Sequence, residues 1–155
     1  MAMGNNVLDL ISVEQIPDQN AALGLAARYA AARQPFGSYR ADRLIGSIAG
    51  QVQRGHYGFA IRAGIIAGYV GWALCEPATA REWIEGGRVP TPDQCNQGDM
   101  VVVLMVIADD PQVLRRLHAY LRTNNPGRDY IGRRAQRPGD PVRRGRIGLK
   151  THAAS

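Results

Sequence analysis

The chain has 155 residues, 45% of them apolar and 21% charged, a length and balance that suit one compact domain and exclude a disordered tail or a fibrous protein. Its longest apolar run, Met100 to Ala108, is too short to span a bilayer, and the opening residues lack the basic stretch and apolar core of a secretory signal. The expectation is a cytoplasmic protein with no transmembrane segment; the net charge of +6 is concentrated between Arg128 and Lys150, where eight basic residues face two acids.

Val7 to Ile16 reads either as a short strand or as an irregular lead-in. Asp18 after Pro17 is an N-cap for an alanine-rich helix, Gln19 to Gln34, that Pro35 and Gly37 end. Ser38 is expected to cap a second helix whose Leu44, Ile45, Ile48 and Val52 form one apolar stripe, with Gly55 as a left-handed exit. The period then falls to two. Tyr57, Phe59 and Ile61, a turn at Ala63-Gly64, and the apolar run Ile65 to Leu74 make a hairpin. Thr79 to Gly87 is a short helix, and Arg88 to Gly98 a loop. Met100 to Ala108 has the continuous apolar character of a strand buried on both faces, at the centre of the sheet. Asp109 or Asp110 with Pro111 opens the helix Gln112 to Arg122, with Val113, Leu114, Leu117 and Tyr120 or Leu121 inward. Two further strands, Tyr130 to Arg134 and Val142 to Leu149, flank a Pro-Gly-Asp-Pro turn. The sum is one α+β domain with a mixed central sheet flanked by helices, carrying an Arg-rich segment over 128–150.

That order of elements is the order of GNAT-type acyltransferases. Gly55-His56-Tyr57, then Gly68-Tyr69-Val70-Gly71-Trp72-Ala73, then Gly98-Asp99 before the buried strand, carry a closer resemblance. Over Ala41 to Ala108 the chain resembles the toxin-activating lysine acyltransferases, which activate RTX haemolysins. The resemblance implies a GNAT-like fold, usually dimeric, that moves a fatty acyl group from acyl carrier protein to a lysine of a protein or peptide such as a toxin. It implies no bound cofactor, only the acyl-carrier phosphopantetheine thioester as co-substrate. At the position of the family's catalytic histidine the ungapped count gives Phe36, or Gly37 one residue on, and at its catalytic aspartate it gives Met105. Absence of both residues supports the rival reading, a catalytically inactive relative that binds carrier protein or acceptor as a scaffold.

Several residues are candidates for the chemistry. His56 follows a helix exit and opens a strand, which suits a replacement general base; Asp99 suits orienting a histidine or holding the loop. Tyr57, Tyr69, Trp72 and Met105 are candidates to line an acyl channel, although packing in the core is the readier account of the three aromatics. Coenzyme A needs amides at a helix start for its pyrophosphate, yet here that turn is Ala108-Asp109-Asp110-Pro111-Gln112, whose two carboxylates oppose an anion. A carrier protein brings one phosphodiester and an acidic surface, for which Arg115, Arg116 and Arg122 with the Arg128 to Arg146 cluster are counter-charges. Cys75 and Cys95 form no Cys-x-x-Cys pair, so neither a disulfide framework nor a metal site is expected, and both read as inert thiols. His118 sits beyond the buried positions of its helix, and His152 in the tail. Nucleic acid ranks last as a ligand, since the basic segment has no interleaved aromatic beyond Tyr130.

Overall fold

The computed structural model describes residues 10–133 and 142–147. In chain order these form β1 (Ile11–Glu14), α1 (Gln19–Ala31), α2 (Ala41–Arg54), β2 (Tyr57–Arg62), β3 (Ile65–Cys75), α3 (Pro77–Gly86), β4 (Met100–Ala108), α4 (Pro111–Asn124), β5 (Asp129–Arg133) and β6 (Val142–Arg146), with single 3-10 turns at Phe36–Ser38 and Asp93–Cys95. The protein is α+β, as expected: among the described residues four helices accompany one sheet of strand order β1-β2-β3-β4-β5-β6. The β1–β2, β2–β3 and β5–β6 pairs are antiparallel, and β4–β5 is parallel. No helix among the described residues is long and apolar enough to cross a membrane. The Pro138 to Pro141 turn, the last strand beyond Ile147, and Arg134, Arg137, Lys150 and His152 lie outside the described residues.

Local chemistry accounts for most boundaries. The Asp18 carboxylate accepts from the Ala21 N–H at 2.8 Å, the expected cap, and α1 ends at Ala31, short of Gln34. Ser38 is not the cap of α2. It closes the 3-10 turn and its hydroxyl donates to Gln34 Oε1 at 2.7 Å, while α2 begins after Arg40, whose guanidinium pairs with Asp42 in the first helical turn. The stripe of α2 also differs from expectation: Leu44, Ile48 and Val52 are buried, but Ile45 is 45% exposed and the inward position is taken by Gln51 at 0%. Gly55 is the left-handed exit at φ 71°. In the hairpin turn Ala63 and Gly64 both have positive φ, 51° and 75°, the twist that a two-residue connection needs. β4 matches its expected limits, yet it is not sealed on both faces: Val101, Val102, Met105 and Ile107 are buried and the rest are half-buried. Along α4 the buried side is Val113, Leu117 and Leu121, with Leu114 and Tyr120 half-exposed.

The chain falls into two compact units, one of Met1–Gly71 with Met105–Tyr120, the other of Trp72–Leu104 with Leu121–Ser155. The first has an aromatic core in which Phe59 packs edge-on to Tyr57 and Tyr69, with centroids at 5.9 and 5.2 Å. Val113 of α4 lies so close to Gly68 that a Cβ there would sit 2.6 Å from Val113 Cγ1. The second has a core of small and branched side chains, Ala73, Cys75, Ala80, Ile84, Cys95, Val102 and Ile131, under Trp83, Met100 and Leu104. Each buried branched side chain contributes about 1.5–3 kcal/mol.

Candidate functional site

His56 stands between Gly55, the α2 exit, and Tyr57, the first residue of β2; it is half-buried, and its backbone N–H donates to Gln51 O at 3.0 Å. A cavity of about 350 Å³ opens beside it, lined by Gly55 and Tyr57 and not by His56. The aromatic candidates sit in the core. Tyr57, Tyr69, Trp72 and Met105 are at most 4% exposed. Tyr57 and Tyr69 are brought together as stacked rings at 6.3 Å, each held by its hydroxyl: Tyr57 donates to Ile16 O at 2.8 Å, and Tyr69 donates to Gln51 Oε1 at 2.7 Å. Burial drives the Tyr69 phenol far above its ordinary pKa, so it serves as a fixed donor and never as a base.

Gln51 is the residue that sequence reading missed. Its Nε2 donates to Ser47 Oγ at 2.9 Å while its Oε1 receives Tyr69, which satisfies a wholly buried amide. Gly71 lies over the same side chain, and a Cβ at that position would collide with Gln51. The available signal was its place at i+7 from Leu44 and i+3 from Ile48, on the inward stripe.

Asp99 belongs to the second unit, His56 to the first. The Asp99 side chain is 98% exposed, with Arg128 Nε at 3.9 Å, the placement of a loop residue in solvent. Its neighbour Gly98 has a stricter role: the Gly98 N–H donates to Leu74 O at 3.2 Å, and a Cβ there would run into the backbone of Cys75 and Glu76. Both cysteines are buried thiols, and the Cys95 thiol points to Pro90 O at 3.9 Å. No group of side chains among the described residues is arranged to hold a metal ion.

The start of α4 gathers two ion pairs. Asp110 Oδ1 accepts from the Val113 N–H at 2.9 Å, and its Oδ2 takes Arg62 Nη1 at 2.7 Å. These two bonds, Arg62 first, hold the Asp110 carboxyl below its ordinary pKa. Asp109 receives Arg33 through both of its oxygens, at 2.8 and 3.2 Å, and the Tyr29 hydroxyl at 2.8 Å. Arg33 also covers the Tyr29 ring at 3.6 Å, and burial, then the Asp109 bond, raise the Tyr29 phenol. The helix end that would receive an external anion is thus filled by the chain's own carboxylate.

Several of the candidate counter-charges are engaged within the chain. Arg115, Arg116 and Arg122 are exposed, and Arg116 donates to Ile11 O at 2.8 Å, which ties α4 to β1. Arg128 donates to Asn125 Oδ1 at 3.0 Å, and Arg146 pairs with Asp129 at 2.7 Å. His118 is exposed on α4. No protein-family model matches the chain, and no curated protein matches it.

Proposed function

We propose that the protein is an N-acyltransferase of the cytoplasm that moves a fatty acyl group from the thioester of acyl carrier protein to a lysine amine of a protein or peptide. The observation that carries the reading is the strand topology together with the parallel register of β4 and β5. That register covers Val101 to Val103 against Tyr130 to Gly132 and no more of β4 among the described residues. A strand whose parallel neighbour leaves it presents unused N–H and C=O groups, the partners that the two amides of a pantetheine arm require. Support for this donor comes from the start of α4, where Asp109 and Asp110 already occupy the anion position with Tyr29, Arg33 and Arg62 around them. A pyrophosphate is disfavoured there; a carrier protein, with one phosphodiester, needs only exposed cations such as Arg115 and Arg122.

In the proposed reaction the neutral amine attacks the thioester carbonyl, the C–S bond breaks as the amide forms, and the amine's proton passes to a base and then to the thiolate. His56 is the base in this reading. A positioned base contributes about 10²–10⁴-fold, roughly 3–5 kcal/mol, and approximation of the reactants about 7–11 kcal/mol. The second reading, a non-catalytic scaffold, draws on Phe36 and Met105, which stand where the resemblance expects a histidine and an aspartate and are buried at 5% and 4%. Intact-mass spectrometry of a lysine peptide incubated with acyl carrier thioester and the protein separates the two. An added acyl mass, lowered about 10²–10⁴-fold in rate by His56→Ala, supports catalysis; salt-sensitive carrier binding with no acyl-amide supports the scaffold. Sedimentation of the free protein tests the dimer that the resemblance implies.

A further inference from the structure

The corner where β1 leads into α1 and α2 gives way to β2 encloses the cavity of about 350 Å³, at the small end of ligand sites, which run from about 300 to 1,000 Å³. Ile16, Pro17, Val52 and Tyr57 give it apolar walls, and no carboxylate among the described residues lines it. The one charged lining residue among the described residues, Arg54, turns its guanidinium back along α2: a Cβ on Gly50 would lie 2.7 Å from Arg54 Nη1. The N-terminal end of α1 and the C-terminal end of α2 both border the cavity, so their opposite partial charges offset each other. Two of the polar lining groups are already used, Gln15 Nε2 on Gly55 O and Tyr57 O at 2.7 and 3.0 Å, and the Tyr57 hydroxyl on Ile16. What remains is a pair of side-chain amides, Gln19 from α1 and Gln53 from α2, both exposed and neither hydrogen-bonded to another described residue.

We propose that this cavity binds an uncharged peptide segment, its backbone amides paired with Gln19 and Gln53 and an apolar side chain against Ile16, Pro17, Val52 and Tyr57. A side-chain amide offers a donor and an acceptor at once, which is the complement of a peptide group. A charged ligand would lose hydration here without gaining a counter-charge. If the acyl-transfer reading holds, and this clause alone rests on it, the segment belongs to the acceptor.

The probe is N-acetyl-leucyl-alanine amide, titrated into the ¹⁵N-labelled full chain. The side-chain amide signals of Gln19 and Gln53 and the backbone signal of Gly55 should shift and saturate. Gln19→Ala and Gln53→Ala should each weaken binding about 2–10-fold, the range for one lost hydrogen bond, with the melting temperature unchanged because both side chains are exposed. Acetate and n-butylammonium should not compete. Absence of saturable shifts, binding that survives the double substitution, or displacement by either charged probe overturns the site. Because the probe is read without donor, its binding supports the site even where no acyl transfer occurs. Transfer whose KM for the acceptor is unmoved by the double substitution overturns the assignment of the site to the acceptor.

Discussion

The two units solve the problem of a core in different ways. Around Tyr69 the first unit buries a polar chain, phenol to amide and amide to serine hydroxyl, with Gly71 leaving the space that Gln51 fills. Around Ile131 the second unit buries small thiols and branched aliphatics, where the fit is one of volume. The contrast teaches what the resembling residues are for. Tyr69 and Gly71 serve Gln51, and Gly98 serves the backbone of Cys75 and Glu76, so much of the pattern that points to an acyltransferase is a record of packing. Such a pattern identifies a fold with more authority than it identifies a reaction.

The largest effect belongs to the volume-filled core. Ile131→Ala should cost about 2–5 kcal/mol in urea unfolding, and Ile131→Val about 0.5–1.5, since Ile131 is 2% exposed and the cavity left behind adds to the lost burial. Gly98→Ala should be comparably severe despite adding only one carbon, because the atoms in its way are backbone. A loss under about 1 kcal/mol for Ile131→Ala, below the range for such truncations, would show that the second core repacks freely.

In the polar core the size of the loss should depend on the partner. Tyr69→Phe leaves the buried Gln51 oxygen without its donor and should cost about 1–3 kcal/mol. Gln51→Leu in the same chain should recover much of that, since no buried amide is then left unsatisfied and the Ser47 hydroxyl that loses its donor is only half-buried. Additive single losses in the double-mutant cycle would dissolve the distinction between the two cores. Gly71→Ala should likewise be damaging with Gln51 present and mild beside Gln51→Ala, which removes the obstructing amide.

These pairs also mark where sequence was a sufficient guide. β4 is legible to the residue because nine consecutive apolar positions admit few other readings, and the Asp18 cap because its partner Ala21 is three residues away. The α4 start is half legible: Asp110 and its bond to Val113 follow from local spacing, but Arg62 lies 48 residues off, and Tyr29 and Arg33 lie 80 and 76 residues from Asp109. Hydrophobicity alone sends Ile45 inward and leaves Gln51 unmarked, because it cannot see a tyrosine hydroxyl waiting across the core. Within the candidate site, the position of His56 after Gly55 is local and was readable; that Asp99 stands 98% exposed is a property of the loop's long-range attachment through Gly98 to Leu74.

The smallest effect compares one surface ion pair from each unit. Arg62 holds the Asp110 carboxyl, and Arg146 the Asp129 carboxyl, below the ordinary value. A carboxyl whose pKa is lower in the folded than in the unfolded chain adds stability above the unfolded value, about 3.9. That stability disappears as pH falls through the folded value, so both pairs contribute a constant increment between pH 5 and 7 and their pH dependence lies on the acid limb. They should not act equally. The Arg62–Asp110 side chains are 28% and 34% exposed, and Asp110 also caps α4, whereas the Arg146–Asp129 side chains are 75% and 50% exposed and more fully screened by water. Melting temperatures recorded from pH 5 down to 2 should therefore fall less steeply in Asp110→Asn than in the parent chain. Asp129→Asn should follow the parent closely, and any difference should vanish in high salt. A larger flattening with Asp129→Asn would mean that exposure and capping do not rank these pairs.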